Sequence, residues 1–119
     1  MANFGVQIFS EDLLGSFEHY KKAFKATQIF LAKGSQDEPI HLEMDVLGNN
    51  IAIAPLLPKD IKKGNVVVLC VKFENEEDLW MAYNVLKEDG RADELKSYPW
   101  SALEGYVTDK FGITWCIGI

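Results

Sequence analysis

The sequence predicts an α+β fold of two tandem βαβββ modules, with curved sheets around a cleft and the helices outside. Three observations predict it. The order strand, helix, three strands reads twice along the 119 residues. The two readings keep one offset, since 66 − 4 and 119 − 57 both give 62 for the first and last strands of the halves. The last quarter, residues 98–119 (YPWSALEGYVTDKFGITWCIGI), reads as a closing hairpin against which the rest can be arranged.

Residues 4–9 (FGVQIF) alternate. Phe4, Val6 and Ile8 share one face and Gly5, Gln7 and Phe9 the other, which is a strand. Ser10 is the expected N-cap of a helix, with Glu11 and Asp12 in its first turn, where the dipole favours acids. Leu13, Phe17, Tyr20 and Phe24 recur at helical spacing and form a core-facing stripe. His19, beside Tyr20, is assigned to the surface. Residues 26–32 (ATQIFLA) read as a second strand and 33–39 as a polar loop. Residues 40–47 alternate again, with Ile40, Leu42, Met44 and Val46 against His41, Glu43 and Asp45. Gly48, Asn49 and Asn50 signal a hairpin turn, and residues 51–57 a fourth strand limited by Pro55 and Pro58.

Residues 58–65 read as a linker, so module one covers 1–57 and module two 66–119 of a single domain. Residues 66–73 (VVVLCVKF) read as a buried strand. Residues 75–89 repeat the acid-started helix, with Leu79, Ala82, Tyr83 and Leu86 as its stripe and Gly90 as its C-cap. Residues 92–97 carry a faint strand signal. In the closing hairpin, Gly112 can take φ > 0 and Asp109 can bond backbone two residues on. That gives Asp109 a structural role in the turn rather than a catalytic one.

Hydrophobic residues make up 48% and charged residues 25%, a globular composition. The net charge of −6 and pI near 4.8 disfavour phosphate backbones and anionic lipid surfaces. Nucleic acid and membrane are therefore not expected partners. No apolar run approaches the ~20 residues of a membrane span. The start, MANFGVQIFSEDLL, does not read as a secretory signal, which points to the cytoplasm. Cys70 and Cys116 sit in apolar runs and are expected as reduced, buried thiols.

Three stretches carry a family resemblance. Residues 16–26 (SFEHYKKAFKA) are similar to "FYKEAFGA", residues 40–54 (IHLEMDVLGNNIAIA) to "HAELRIGGSRLML", and residues 99–115 (PWSALEGYVTDKFGITW) to "PWGDRYGRVTDPFGHRW". The chain thus resembles the vicinal oxygen chelate (glyoxalase/bleomycin-resistance) superfamily, and within it the PhnB-like (demethylubiquinone-methyltransferase-like) subgroup. The resemblance implies a homodimer and a small-molecule ligand in a cleft between modules. It also implies divalent-metal ligands on the first, fourth, fifth and eighth strands. Those positions hold Gly5, Ala52 or Ala54, Val68 and Cys116 here. They offer one thiol at most, so no metal and no other cofactor is expected.

The expected ligand-binding residues are Gln7, His41, Glu43, Trp100 and Cys116. His41 and Glu43 share a strand face by parity and can orient a ligand or move a proton. Gln7 shares its face with Gly5 and can bond a substrate. Tyr98 and Trp100 offer aromatic walls, whereas Trp115 and Trp80 suit core or interface. Two other readings stand beside this one. One is a lyase, isomerase or dioxygenase with an atypical metal set such as His41 with Glu43. The other is a dimeric interaction module with a filled cleft.

Overall fold

The computed structural model describes residues 2–55, 57, 59–64 and 66–119. Leu56 and Pro58, expected at the end of the fourth strand, and Asn65, expected to end the linker, lie outside the described residues. The chain divides into two compact units, Met1–Lys62 and Lys63–Ile119, and the boundary falls inside the segment read as a linker.

The first unit runs β1 (Val6–Phe9), α1 (Leu13–Phe24), β2 (Thr27–Lys33), β3 (Pro39–Val46) and β4 (Asn49–Ala54). Its sheet order is β1-β4-β3-β2, with β1 parallel to β4 and the other neighbours antiparallel. Alternation on β3 decides which face is sealed. Leu42 and Met44 are fully buried, as is Ile53 on β4, and α1 packs on β3 and β4. The helix contributes Leu13, Phe17, Tyr20 and Phe24, all buried as the stripe predicts. Each such side chain contributes about 1.5–3 kcal/mol relative to exposure.

Several local expectations give way. Asp12, not Ser10, caps α1: its side chain accepts from Gly15 N at 3.0 Å. Ser10 Oγ instead donates to Asp12 O at 3.2 Å, and the first turn holds no acid. A cap must stand next to the first helical residue, and the helix begins at Leu13. His19 is buried, 5% exposed, because the α1 stripe is wide enough to take it in beside Tyr20. The β3–β4 turn is Leu47-Gly48 rather than Gly48-Asn49-Asn50, since Asn49 and Asn50 are already paired in β4. Val46 pairs with Asn49, and both turn residues have positive φ, 52° and 89°. That is a two-residue type I′ turn, with leucine at a position that ordinarily favours Asn, Asp or Gly.

The second unit runs β5 (Leu69–Lys72), α2 (Glu76–Leu86), β6 (Arg91–Ala92), β7 (Lys96–Tyr98), β8 (Ser101–Thr108) and β9 (Thr114–Gly118). Its order is β5-β9-β8-β6, with β7 also pairing β8 and β5 parallel to β9. The first and last strands of each unit are thus parallel neighbours, so the repeat read from spacing is a repeat of topology. The second copy divides its middle strand into two short pieces, β6 and β7.

The strand expected over 66–73 is only Leu69–Lys72, and Val66 and Val67 are 96% and 77% exposed. β9 supplies partners for four residues only, so the apolar run outlasts its pairing. Asn75 caps α2 by accepting from Asp78 N at 2.9 Å. The helix ends at Lys87, in αR, so Gly90 is no C-cap. Gly90 instead lies against the Thr108 carbonyl, where a Cβ would collide. Tyr83 leaves the expected stripe and donates to Asp93 O at 3.1 Å. Trp80 is 40% exposed, outside the core, and its Nε1 donates to Glu76 at 3.3 Å.

Asp109 fills the role predicted for it. Its Oδ1 accepts from Phe111 N and Ile113 N at 3.0 and 3.1 Å, and its Oδ2 from Trp115 Nε1 at 2.9 Å. Asp109 is 2% exposed and Trp115 fully buried, so one carboxylate ties the β8–β9 turn to the unit's core.

Two stability outcomes follow, both read from urea unfolding. Asp109→Ala strands buried donors and costs about 3 kcal/mol or more, with Asp109→Asn costing less. Leu47→Asn relieves the positive-φ leucine and gains about 0.5–1 kcal/mol.

Candidate functional site

In the first unit, the face opposite α1 carries the odd-numbered residues of β3 and the even-numbered residues of β4. Register aligns them in rows. Gln7 on β1 pairs with Ala52 on β4, Ala52 with Glu43 on β3, and Glu43 with Phe30 on β2. One step along, His41 pairs with Ala32. The row therefore places Gln7, Ala52, Glu43 and Phe30 side by side at strand spacings of about 4.8 Å.

A hydrogen-bonded chain crosses this face. Asn50 Nδ2 donates to Glu43 Oε1 at 3.0 Å, and His41 Nε2 meets Glu43 Oε2 at 3.1 Å. The Asn50 amide first, and His41 second, hold the Glu43 carboxyl below its usual range. Both contacts favour the ionised form of the carboxyl. His41 and Glu43 side chains are each about one-third exposed, at 33% and 34%. The Phe30 ring stands 6.3 Å from the His41 ring at 58°. Gln7 is exposed on its strand.

The second unit uses the equivalent row differently. Cys70 on β5 pairs with Cys116 on β9, which pairs with Tyr106 on β8. These occupy the topological places of Gln7, Ala52 and Glu43. Both cysteines are free, but Cys70 is exposed, not buried as expected, because β5 has only β9 beside it. Burial, the Glu104 carboxylate and the Cys70 thiol push the Cys116 thiol up to about 12. It stays protonated at neutral pH and is not a nucleophile. Trp100 lies between β7 and β8, 65% exposed. Tyr98 stacks on it at 5.1 Å and 14°, and its Nε1 donates to Glu104 Oε2 at 3.1 Å.

The five expected site residues thus fall into two groups. Gln7, His41 and Glu43 belong to one sheet face of the first unit, and Trp100 and Cys116 to the second unit, linked there through Glu104. Sequence reasoning missed Asn50, Phe30 and Glu104. Asn50 was read only as part of a turn signal; its parity with Ala52 was the available clue.

The chain shares its fold with solved PhnB and FosX structures. The PhnB protein from Bacillus cereus superposes with a TM-score of 0.83 at 19% identity, covering 98% of this chain and 98% of that one. A protein from Pseudomonas aeruginosa gives 0.81 at 16% identity, covering 99% and 97%. A fosfomycin resistance protein, FosX from Listeria monocytogenes, gives 0.73 at 11% identity, covering 99% and 92%. At these identities the likeness is one of fold. No family model matches the chain, and no curated protein matches it in sequence.

That FosX structure is of a complex with Mn(II). The positions that the resemblance assigns to metal ligands hold few donors here. Gly5 and Val68 precede β1 and β5, Ala52 and Ala54 have no side-chain donor, and Cys116 offers a single thiol. Among the described residues, no three His, Cys, Asp or Glu side chains are grouped so as to hold a metal.

Two titrations check the electrostatics. The Glu43 carboxyl, followed by NMR, titrates below the ordinary value near 4.3, and Asn50→Ala moves it back up. Its stabilising contribution is present at neutral pH and is lost as pH falls through that lowered value. At pH about 8, alkylation of Cys116, followed by peptide mass spectrometry, is on the order of a thousandfold slower than for an ordinary exposed thiol. Because the folded state keeps this proton longer than the unfolded chain, the contribution of Cys116 to stability falls as pH rises above about 9.

Proposed function

We propose that this protein binds a small organic molecule on the polar sheet face of its first unit, without the metal centre usual in its fold class. One observation carries the reading: the Asn50–Glu43–His41 chain, built on the face that α1 leaves open and in register with Gln7. Three polar side chains fixed on one sheet face, with alanines between them, match the few convergent polar groups that orient ligands. The donor set argues against the metal. His41 Nε2 and Glu43 Oε2 are turned toward each other, and among the described residues no third His, Cys, Asp or Glu is grouped with them.

The second unit carries an aromatic surface of its own. Trp100 is held on one face by Tyr98 and at its edge by Glu104, and still exposes most of its surface. A rigid exposed indole suits a flat ligand. Cys116 contributes a neutral thiol to the same unit. The edge strand β2 exposes Ile29 and Phe30 at 54% and 50%, which favours pairing with a second copy, and we infer a homodimer. No helix among the described residues is long and apolar enough to cross a membrane. Free thiols on an acidic chain suit the reducing cytoplasm, where we place the protein.

The test is native mass spectrometry of the protein purified without added ligand, coupled to titration with Ni, Zn, Mn and Fe. A stoichiometric organic adduct reduced by Gln7→Ala is expected. A stoichiometric metal site of micromolar affinity would overturn the metal-free part of the reading.

A further inference from the structure

We propose that His41 is the fixed proton acceptor of the first unit's open face, presenting Nδ1 to a small, flat, neutral ligand that carries a weakly acidic O–H or N–H. This rests on the ligand-binding reading and names the ligand class it implies.

The hydrogen-bonded chain fixes the imidazole step by step. Asn50 Nδ2 occupies Glu43 Oε1 at 3.0 Å, so the second oxygen, Oε2, faces His41 Nε2 at 3.1 Å. An ionised carboxylate has no proton to donate, so the proton between them belongs to Nε2. In neutral imidazole the other nitrogen is then an acceptor. Nδ1 has no hydrogen-bond partner among the described residues. The tilted Phe30 ring flanks the imidazole. An orienting group behind a base that is one-third exposed is the arrangement by which proteins aim a histidine at a reacting or binding proton.

The surroundings set the ligand's shape and charge. Ala32 lies beside His41 and Ala52 beside Glu43, so these two positions present only methyl groups. Gln7 stands beyond Ala52, two strand spacings or about 10 Å from Glu43, with a carboxamide that both donates and accepts. A single ring fits within that width. Glu43 is ionised, and Asp45 shares its face by alternation. Two carboxylates repel an anionic ligand, so a neutral weak acid fits better than a carboxylate or phosphate.

The probes are phenol and anisole, which differ by the one proton in question. The comparison is made at pH about 8, where phenol keeps its proton. Nitrogen-15 NMR of the free protein is expected to show His41 as the Nε2–H tautomer, and Glu43→Ala to release a mixture of both. An Nδ1–H tautomer in the native protein overturns the proposal and leaves the ligand-binding reading intact. Binding is followed by backbone amide shifts on β1, β3 and β4. Phenol is expected to bind about three- to tenfold more tightly than anisole, the worth of one net hydrogen bond. His41→Leu abolishes that preference, while His41→Gln, which keeps an acceptor, retains part of it. Equal binding of the two probes, or a preference that survives His41→Leu, overturns the proposal alone. Failure of both probes to shift any residue of this face at millimolar concentration overturns the ligand-binding reading and the proposal with it.

Discussion

Alternation along β3 is the constraint on which the rest of the structure depends. Leu42 and Met44 are sealed beneath α1, and this puts His41 and Glu43 on the opposite face. A slip of one residue would bury an ionised carboxylate and expose two core side chains, at a cost far above the stability of a small unit. Packing therefore sets the register, and the register brings Asn50 and Gln7 into the neighbourhood of the polar pair. Nothing in the polar chain needs to specify its own position. It is held by hydrophobic side chains on the far side of the same strands.

The two units show what a repeated scaffold leaves free. Each pairs its first and last strands in parallel and sets its third position antiparallel to the last. The row equivalent to Gln7, Ala52 and Glu43 is Cys70, Cys116 and Tyr106. The first row is a hydrogen-bonding site whose carboxyl is held ionised. The second contains a thiol that keeps its proton and lies near a carboxylate engaged by Trp100. Backbone pairing uses no side-chain chemistry, so the units keep one topology while their open faces diverge. It also explains why the likeness to known structures is strong in shape at under 20% identity.

Reading the sequence succeeded where one residue type answers to one local rule. The hydrophobic stripe of α1, the alternation of β3, and Asp109 in its turn are all local, and all appear as read. It failed where a choice depended on a partner distant in the chain. Val66 and Val67 look like buried strand, but β9 has no residues to pair with them. Tyr83 has helical spacing but reaches Asp93 instead of the core. Cys70 has an apolar neighbourhood in sequence and lies on a short first strand exposed to solvent. Turn and cap positions slipped by one or two residues, as at Leu47-Gly48 and Asp12. Neighbouring residues with similar propensities compete there, and strand register chooses between them.

The sequence by itself determined the element order of the first unit, the duplicated arrangement, the stripe of α1, and the shared face of His41 and Glu43. Those follow from periodicities of 3.6 and 2, which any segment carries within itself. Only the tertiary structure decided that Asn50 completes the chain through Glu43, that Phe30 flanks His41, and that Cys116 keeps its proton beside Glu104. Each of these is a contact between strands adjacent in space, and hydrogen-bond geometry and burial exist only once the strands have paired.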